Sequence, residues 1–173
     1  EWWYFDADLV DGGKAVIIFY TKEFTEIDQP LTPIIRLDVF RGDGTVISKA
    51  LVFDGADFSA ATNTCNVTIG NNYFRGNLQS YEIHVEDSDL NFTATLQRST
   101  QSWRPKTGHM VFGPAEQKQF NWVVPVPAGT VNINYTYQGT PSSVTGFGYH
   151  DHNWGNEDMR KLINHWYWSR AIL

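Results

Sequence analysis

Hydrophobic and polar positions alternate with a period of two in runs that recur along most of the chain. The runs are rich in β-branched and aromatic residues and are bounded by Gly, Asp, Asn or Pro, which is typical of an antiparallel sandwich or barrel. We therefore predict one all-β domain over residues 1–173, built as an antiparallel barrel or a strongly bent sandwich. The predicted strands cover residues 2–9, 14–23, 34–40, 45–53, 81–86, 90–97, 119–126, 131–137, 146–151 and 165–172, with loops or short edge strands at 54–64 and 99–113.

Turn signals support this prediction. Asp-Gly pairs at 11–12 and 43–44 supply the positive φ that tight hairpins need, and Pro125 and Pro127 mark a predicted strand end. Helical spacing occurs only at residues 156–163, which predicts two turns at most.

The composition of the chain indicates a folded protein and argues against nucleic acid or a membrane as its partner. Hydrophobic residues make up 42% and charged residues 18%, which favours a folded core large enough to enclose a ligand. The formal net charge is -6 and Lys and Arg form no run, which disfavours nucleic acid and anionic membrane surfaces. No stretch approaches the roughly 18 apolar residues of a membrane helix, so we predict no membrane span.

Cysteine usage and sequons leave the compartment open between cytoplasmic and secreted. A single cysteine, Cys65, excludes an internal disulfide and any multi-cysteine metal site. The chain starts without Met and ends directly after an apolar run, so we expect a segment of a longer protein. Sequons compatible with a secreted glycoprotein occur at Asn66, Asn91 and Asn134.

The opening run mixes aromatic rings with carboxylates. In a strand, one face carries Glu1, Trp3 and Phe5 and the other carries Trp2, Tyr4 and Asp6. Either face of a closed barrel would place a carboxylate among rings, which raises the pKa of a carboxyl by desolvation. The alternative is a strand whose aromatics fill the core and whose acid lies at the rim.

The densest polar cluster lies at residues 146–155. An extended chain sends Tyr149, Asp151 and Asn153 to one side and His150, His152 and Trp154 to the other. The Tyr149–Asp151 pair is a candidate for general acid or base catalysis, although an Asp that accepts backbone N–H bonds in a tight loop is the alternative. The two histidines could bind a metal with His165, His109 or Glu157, but spacing indicates no third ligand, and we predict no metal site.

The closing run, residues 165–170, places Trp166, Trp168 and Arg170 on one strand face. We expect Arg170 to pair with Asp6 or Asp151 inside the barrel. With Trp122 on another strand, these rings indicate a cavity for an elongated apolar or polyene ligand, the alternative being a Trp-rich core.

Nucleophilic and phosphate chemistry have little support. The chain has no G-x-S-x-G elbow, P-loop or dinucleotide fingerprint, and Cys65 lies in a polar stretch with no His nearby in sequence. We therefore predict no phosphate cofactor.

Three motifs together suggest a family. The segments EWWYFDA, GFGYHDHNWG and HWYWSRA lie near the two ends of the chain. Their combination resembles the carotenoid hydratase (hydroxyneurosporene synthase) superfamily, and within it the fungal lipocalin-like Diels–Alderases. The resemblance implies two successive lipocalin-like β-barrel domains, of which this chain is the N-terminal one, with a ligand pocket largely between them.

The resemblance also implies chemistry without a metal or redox cofactor: water addition to a polyene, epoxide rearrangement or [4+2] cyclisation. Tyr149 and Asp151 match positions that serve protonation of a double bond in the hydratase branch. That branch has a His two residues before the Trp that matches Trp122, whereas this chain has Phe120. The departure favours the cyclase branch.

The resulting prediction is a cofactor-independent cyclase or isomerase, similar to Diels–Alderases, that acts on a hydrophobic polyketide-derived polyene in secondary-metabolite biosynthesis. Tyr149 and Asp151 are the predicted catalytic residues, and a second lipocalin-like domain is the expected partner. The alternatives are a hydratase or epoxide-opening enzyme with Asp151 as proton donor, and a carrier that does no chemistry. The predicted substrate-binding residues are Trp2, Trp3, Trp122, Asn153, Trp154, Trp166 and Trp168.

Overall fold

A computed structural model describes residues 1–171 of the chain. These residues form one 12-stranded antiparallel sheet in the order β4-β3-β2-β1-β12-β11-β9-β8-β7-β6-β5, with β10 paired to β11 beside this path. A 3₁₀ turn, Gly55–Asp57, and one short helix, α1 (Met159–Leu162), complete the elements. No helix among the described residues is long and apolar enough to cross a membrane. The strands are β1 (Trp2–Leu9), β2 (Lys14–Tyr20), β3 (Ile34–Phe40), β4 (Val46–Val52), β5 (Phe58–Ala60), β6 (Cys65–Ile69), β7 (Asn72–Gly76), β8 (Ser80–Asp87), β9 (Leu90–Arg98), β10 (His109–Phe112), β11 (Lys118–Tyr137) and β12 (Thr140–Gly155).

The sheet curls so that strands far apart in its order share one core. Phe19 of β2 and Phe74 of β7 meet edge to face, with ring centroids 5.8 Å apart. Lys49 of the edge strand β4 forms an ion pair with Asp87 at the end of β8, at 3.0 Å, and a second with Asp89. The predicted all-β antiparallel architecture is therefore confirmed, as a curled sheet.

Alternation along the strands separates two faces. In β1, Trp3, Phe5 and Leu9 are buried in the core that fills the inner face. Intervening residues such as Trp2 and Tyr4 are only half-buried and lie on the outer face. The hydrophobic core and the outer surface of β1, β12 and β11 are therefore built from alternate residues of the same strands.

The hairpin predictions from the Asp-Gly pairs are confirmed. Gly12 and Gly44 both have φ of +86°, a region that glycine enters at no steric cost. Each preceding aspartate reinforces its turn: Asp11 accepts a bond from the N–H of Gly13, and Asp43 accepts one from the N–H of Thr45, both at 2.9 Å.

Three predictions of secondary structure need correction. The sequence predicts separate strands at 119–126 and 131–137, but both belong to the single strand β11, whose register shifts between Val123 and Gly129. Bulges of this kind accommodate Pro125 and Pro127 without ending the strand. The helix predicted at 156–163 shrinks to α1, because Asp158 caps its start by accepting a bond from the backbone N–H of Arg160 at 2.9 Å.

The third correction concerns the predicted strand at 165–172. Residues 165–171 form no ladder with any strand, and residue 172 lies outside the described residues. Because β1 already pairs with β2 on one side and β12 on the other, the chain end crosses the outer face of the sheet. Strands β5 and β10 lie within the stretches predicted as loops or short edge strands, whereas β6 and β7 lie where the sequence predicts no element.

We expect Phe74→Ala to lower the free energy of unfolding by about 3–5 kcal/mol. The ring of Phe74 is fully buried against Phe19, so its removal leaves a cavity in the core. Phe147→Ala is the matched control, because Phe147 is 50% exposed. Urea unfolding followed by tryptophan emission measures both. Equal losses in the two variants would contradict the placement of the core.

Candidate active site

A pocket of about 450 Å³ lies on the outer face, between the sheet and residues 163–171, which we call the C-terminal strap. The sheet contributes the aromatic side chains of Trp2, Tyr4, Phe120 and Trp122. The strap contributes Ile163, Trp166, Tyr167 and Trp168. Polar groups enter this apolar lining chiefly at Asp151 and Asn153, so the pocket suits a hydrophobic ligand with few polar contacts.

Strand register places the polar residues together. In the ladder between β1 and β12, Tyr4 lies opposite Asp151 and Trp2 lies opposite Asn153. In the ladder between β11 and β12, Trp122 also lies opposite Asn153. Because residues directly opposite in a ladder point to the same face, all of these side chains meet on the outer face.

The carboxylate of Asp151 accepts three side-chain hydrogen bonds. Oδ2 accepts from the hydroxyl of Tyr149 at 2.8 Å and from the indole N–H of Trp122 at 3.0 Å. Oδ1 accepts from the side-chain amide of Asn153 at 2.8 Å. The predicted alternative, an Asp held by backbone N–H groups in a loop, is therefore wrong, because Asp151 lies within β12 and its partners are side chains.

Burial raises the pKa of Asp151 to about 6, against the opposing effect of its three hydrogen-bond donors. The negative charge of Asp6 adds to the rise. Burial also raises the pKa of Tyr149, and the charge of Asp151 raises it further, so Tyr149 keeps its proton and remains a donor. Asp151 therefore exchanges its proton near neutral pH, the range in which a general acid is most effective.

Arg170 pairs with Asp6, which is one of the two alternatives predicted for it. Its Nη2 donates to Oδ1 of Asp6 at 2.5 Å and to Oδ2 of Asp8 at 2.7 Å. Both Asp6 and the Arg170 side chain are largely buried. The other alternative, a pair with Asp151, does not form.

Two of the predicted substrate-binding residues lie elsewhere. Trp3 and Trp154 sandwich the ring of His152, with centroids 4.7 Å from it on each side, on the face opposite the pocket. Five others, Trp2, Trp122, Asn153, Trp166 and Trp168, line the pocket. The predicted acid–base partner Tyr149 borders it through contacts with Asp151 and the ring of Trp168.

The histidine pair considered as a metal site has other partners. Nδ1 of His150 donates to the backbone carbonyl of Tyr4 at 2.8 Å, and its ring packs between Phe74 and Tyr81 in the core. Nε2 of His152 lies 2.9 Å from a carboxylate oxygen of Glu1. Within residues 1–171, no group of three His, Cys, Asp or Glu side chains is arranged to hold a metal ion.

Sequence reasoning missed several pocket residues. Tyr4 shares a strand face with Trp2, so the alternation of β1 contained the signal for it. Met110 comes from β10, in a stretch where polar and small residues obscured the strand. Tyr167 reaches the pocket because the strap is not a strand and does not alternate its side chains between two faces.

We expect Tyr149→Phe and Trp122→Phe each to raise the pKa of Asp151, because each removes a donor that stabilises the carboxylate. A hydrogen bond to a charged group contributes about 1.5–3 kcal/mol, so the effect should be clear in a carboxyl-carbon NMR titration. Trp103→Phe is the control, since Trp103 contacts the ring of Trp122 but not Asp151. A fall in the pKa in either variant would contradict the assigned donors.

The fold of the chain is lipocalin-like. Over 90% of its length it superposes on a crystal structure from Nitrosomonas europaea assigned as AttH, with a TM-score of 0.64 and 19% identity. A second match, to the crystal structure of kievitone hydratase from Nectria haematococca, covers 90% of this chain, with a TM-score of 0.62 and 14% identity. No protein-family model matches the chain. No curated protein sequence matches it significantly.

Both structures are longer than this chain. The matched region covers 51% of the Nitrosomonas protein and 48% of kievitone hydratase, so the chain spans about half the length of each. At these identities the similarity establishes the fold alone, and the activity has to be argued from the site.

Proposed function

We propose that this protein is a cofactor-independent enzyme that protonates a hydrophobic, unsaturated small molecule, with Asp151 as the proton donor. One observation carries the proposal: a carboxyl group with a pKa of about 6 lies among aromatic side chains, with three donors ready to stabilise its anion. Protonation of an alkene needs an acid that holds its proton near neutral pH and an environment that excludes bulk water. The aromatic side chains of the pocket supply much of that environment.

The proposed reaction is a hydration. The O–H bond of Asp151 breaks as its proton forms a C–H bond at one end of a polarised double bond, and the carboxylate left behind is stabilised by Tyr149, Trp122 and Asn153. The carbocation is stabilised by the faces of neighbouring rings such as Trp122. Water then adds to the cation, and the proton that it releases returns to Asp151. The Nectria haematococca protein with a similar fold is, by its name, a hydratase, which supports this class of reaction.

A cyclisation is the second candidate, and Phe120 favours it. The ring centroid of Phe120 lies 5.9 Å from that of Trp2 and 6.2 Å from that of Trp166. This wall of the pocket can therefore orient a ligand by its shape but has no polar group that would bind a water molecule. A pocket of this kind can hold the reactive fold of a flexible polyene, which supplies proximity and orientation. Protonated Asp151 or Tyr149 would then hydrogen-bond a carbonyl conjugated with the dienophile and lower the barrier.

Mass spectrometry in D₂O separates these reactions. We would incubate the protein with an acyclic carotenoid and with a linear polyene tetramic acid, then analyse recovered material at high resolution. Hydration adds the elements of one water and introduces one deuterium bound to carbon. A cycloaddition conserves mass, introduces no carbon-bound deuterium and removes diene absorbance.

The controls test the role of Asp151. Asp151→Asn should slow the hydration by about 10²–10⁴-fold, whereas Asp28→Asn removes an exposed carboxylate and should have no effect. Recovery of both compounds unchanged, bound to the wild-type protein, would overturn the enzyme proposal for these substrates and leave a carrier function. Full activity in Asp151→Asn would overturn the role of Asp151.

We also propose that a second lipocalin-like domain completes the pocket. The strap residues at its rim are exposed, with Tyr167 at 93% and Trp166 at 54%, although they lie beside an apolar cavity. Exposed aromatic patches of this kind mark interaction surfaces. If a second domain covers this rim, Tyr167→Ser should weaken substrate binding more in the longer protein than in the isolated chain, as measured by tryptophan quenching.

A further inference from the structure

The C-terminal strap is attached to the sheet by side chains alone. Among residues 1–171, no backbone hydrogen bond joins residues 164–171 to the rest of the fold. Its rings pack on the outer face: Trp168 lies 5.9 Å from Tyr4 and 5.6 Å from Tyr149 between centroids, and Trp166 stacks on Phe120. A wall of the pocket therefore depends on a few side-chain contacts.

Arg170 makes the ion pairs that connect the described part of the strap to the sheet. Its Nη2 bridges Asp6 and Asp8, which are successive outer-face residues of β1. Asp6 lies opposite Tyr149 in the β1–β12 ladder, and Tyr4, its neighbour on the same face, lies opposite Asp151. The guanidinium thus lies at the junction of strap, β1 and the acid–base pair.

We propose that Arg170 is a positioning residue of this site, which fastens the strap over the pocket and neutralises Asp6 beside the Tyr149–Asp151 pair. Its importance for turnover depends on the proposed function, but its two structural effects do not. Without the guanidinium, the strap loses its ionic attachment and the site gains an uncompensated negative charge next to the proton donor.

The charges on Asp6 and Arg170 affect, directly or indirectly, the pKa of Asp151. The charge of Asp6 raises the pKa of Asp151. Burial raises the pKa of Asp6 itself, and Arg170 opposes that rise. The titratable and charged groups that face Asp6 are Tyr4 and Asp8 on β1, Tyr149 and Asp151 on β12, Arg170 on the strap, and Lys14 on β2 through its ion pair with Asp8.

Indole ¹H–¹⁵N NMR tests both effects without a substrate. The resonance of Trp168 reports docking of the strap, because its ring lies against Tyr4 and Tyr149. The resonance of Trp122 reports the protonation of Asp151, because its N–H donates to that carboxylate. Single Trp→Phe variants assign the two peaks.

Four variants are expected to differ in the position of the Trp168 resonance and in the pH midpoint seen at Trp122. Arg170→Gln should move the Trp168 resonance to the position of an exposed indole and raise the pH midpoint seen at Trp122, whereas Arg170→Lys should largely restore that midpoint. Asp6→Asn should lower the midpoint. Each change should be about threefold to tenfold in proton affinity, as expected for one charge several Å away in a partly screened site. Lys14→Gln removes an exposed partner of Asp8 and should change neither resonance.

Two outcomes would overturn the inference. If Arg170→Gln leaves the Trp168 resonance in place, other contacts hold the strap. If Arg170→Gln and Asp6→Asn move the midpoint in the same direction, Arg170 acts only through folding. Should Arg170→Gln fail to fold, the Asp6→Asn/Arg170→Gln variant removes both charges and should show an undocked strap with the midpoint of Asp6→Asn. Absence of turnover on every substrate would reject the proposed function without affecting these results.

Discussion

Asp151→Asn should reduce the rate of the proposed hydration by about 10²–10⁴-fold and at the same time make the protein more stable at pH 7. The loss of activity follows because Asn has no proton to donate at this position. The gain follows because burial raises the pKa of Asp151 from 3.8 to about 6, so keeping the carboxylate ionised at pH 7 opposes folding by up to about 3 kcal/mol. Asparagine removes that penalty and can keep the hydrogen bonds if the amide of Asn153 rotates by half a turn.

Urea unfolding at pH 7 and pH 4 distinguishes this explanation from a general effect of the substitution. A group whose folded pKa is raised stabilises the fold at low pH, and this stability is lost as the pH rises through the folded pKa. The advantage of Asp151→Asn over wild type should therefore be largest at pH 7 and small at pH 4. Asp28→Asn, at an exposed position, should show no such dependence. A variant that is less stable than wild type at pH 7 would contradict the pKa assignment.

Acidification should destabilise Asp151→Asn by up to about 1.4 kcal/mol for each pH unit below 6.5, because of the neighbouring residue His150. Burial lowers the pKa of His150 from 6.5 to about 3, so the unfolded chain takes up a proton that the folded protein refuses. Stability due to this residue is present above pH 6.5 and is lost as the pH falls. In the wild type, uptake of a proton by folded Asp151 offsets the loss, so its stability should change less.

The window for this measurement is pH 6.5 to about 5.5, which stays above the range in which a glutamate carboxyl with its ordinary pKa of 4.5 takes up most of its proton. The control is Asp151→Asn/His150→Asn, because the amide nitrogen of Asn takes the position of Nδ1, can donate to the carbonyl of Tyr4 and cannot titrate. The readout is the slope of stability against pH and not the stability itself, since His150→Asn also changes the packing against Phe74. Equal slopes with and without His150 would contradict the origin of the acid sensitivity.

Strands with a clear two-residue period could be predicted from sequence, and those without it could not. The predicted bounds of β1 and β3 agree with the structure to the residue. By contrast β6 and β7 form near an edge of the sheet and pair through the backbone, which leaves their polar outer positions free to vary. A strand of this kind is specified by its neighbours in the sheet more than by its own pattern.

The same limit explains which parts of the site could be predicted. Alternation within β12 correctly places Tyr149, Asp151 and Asn153 on one face, because strand geometry alone determines that relation. It could not show that residues 165–171 run across the sheet, since their pattern suits a strand and the competition for pairing partners is a property of the whole fold. The prediction that Trp3 lines the pocket is wrong for a related reason: the sequence does not say which face of β1 is the core.

The pocket and the hydrophobic core lie on opposite faces of β1, β11 and β12, and this separation determines which residues can be changed without loss of the fold. Residues that set the shape of the pocket point away from the residues that hold the fold together, so a substitution at Trp2, Phe120 or Trp122 leaves the inner core unchanged. Outer-face substitutions can therefore change which ligand fits the pocket and leave the inner-face contacts that stabilise the fold in place.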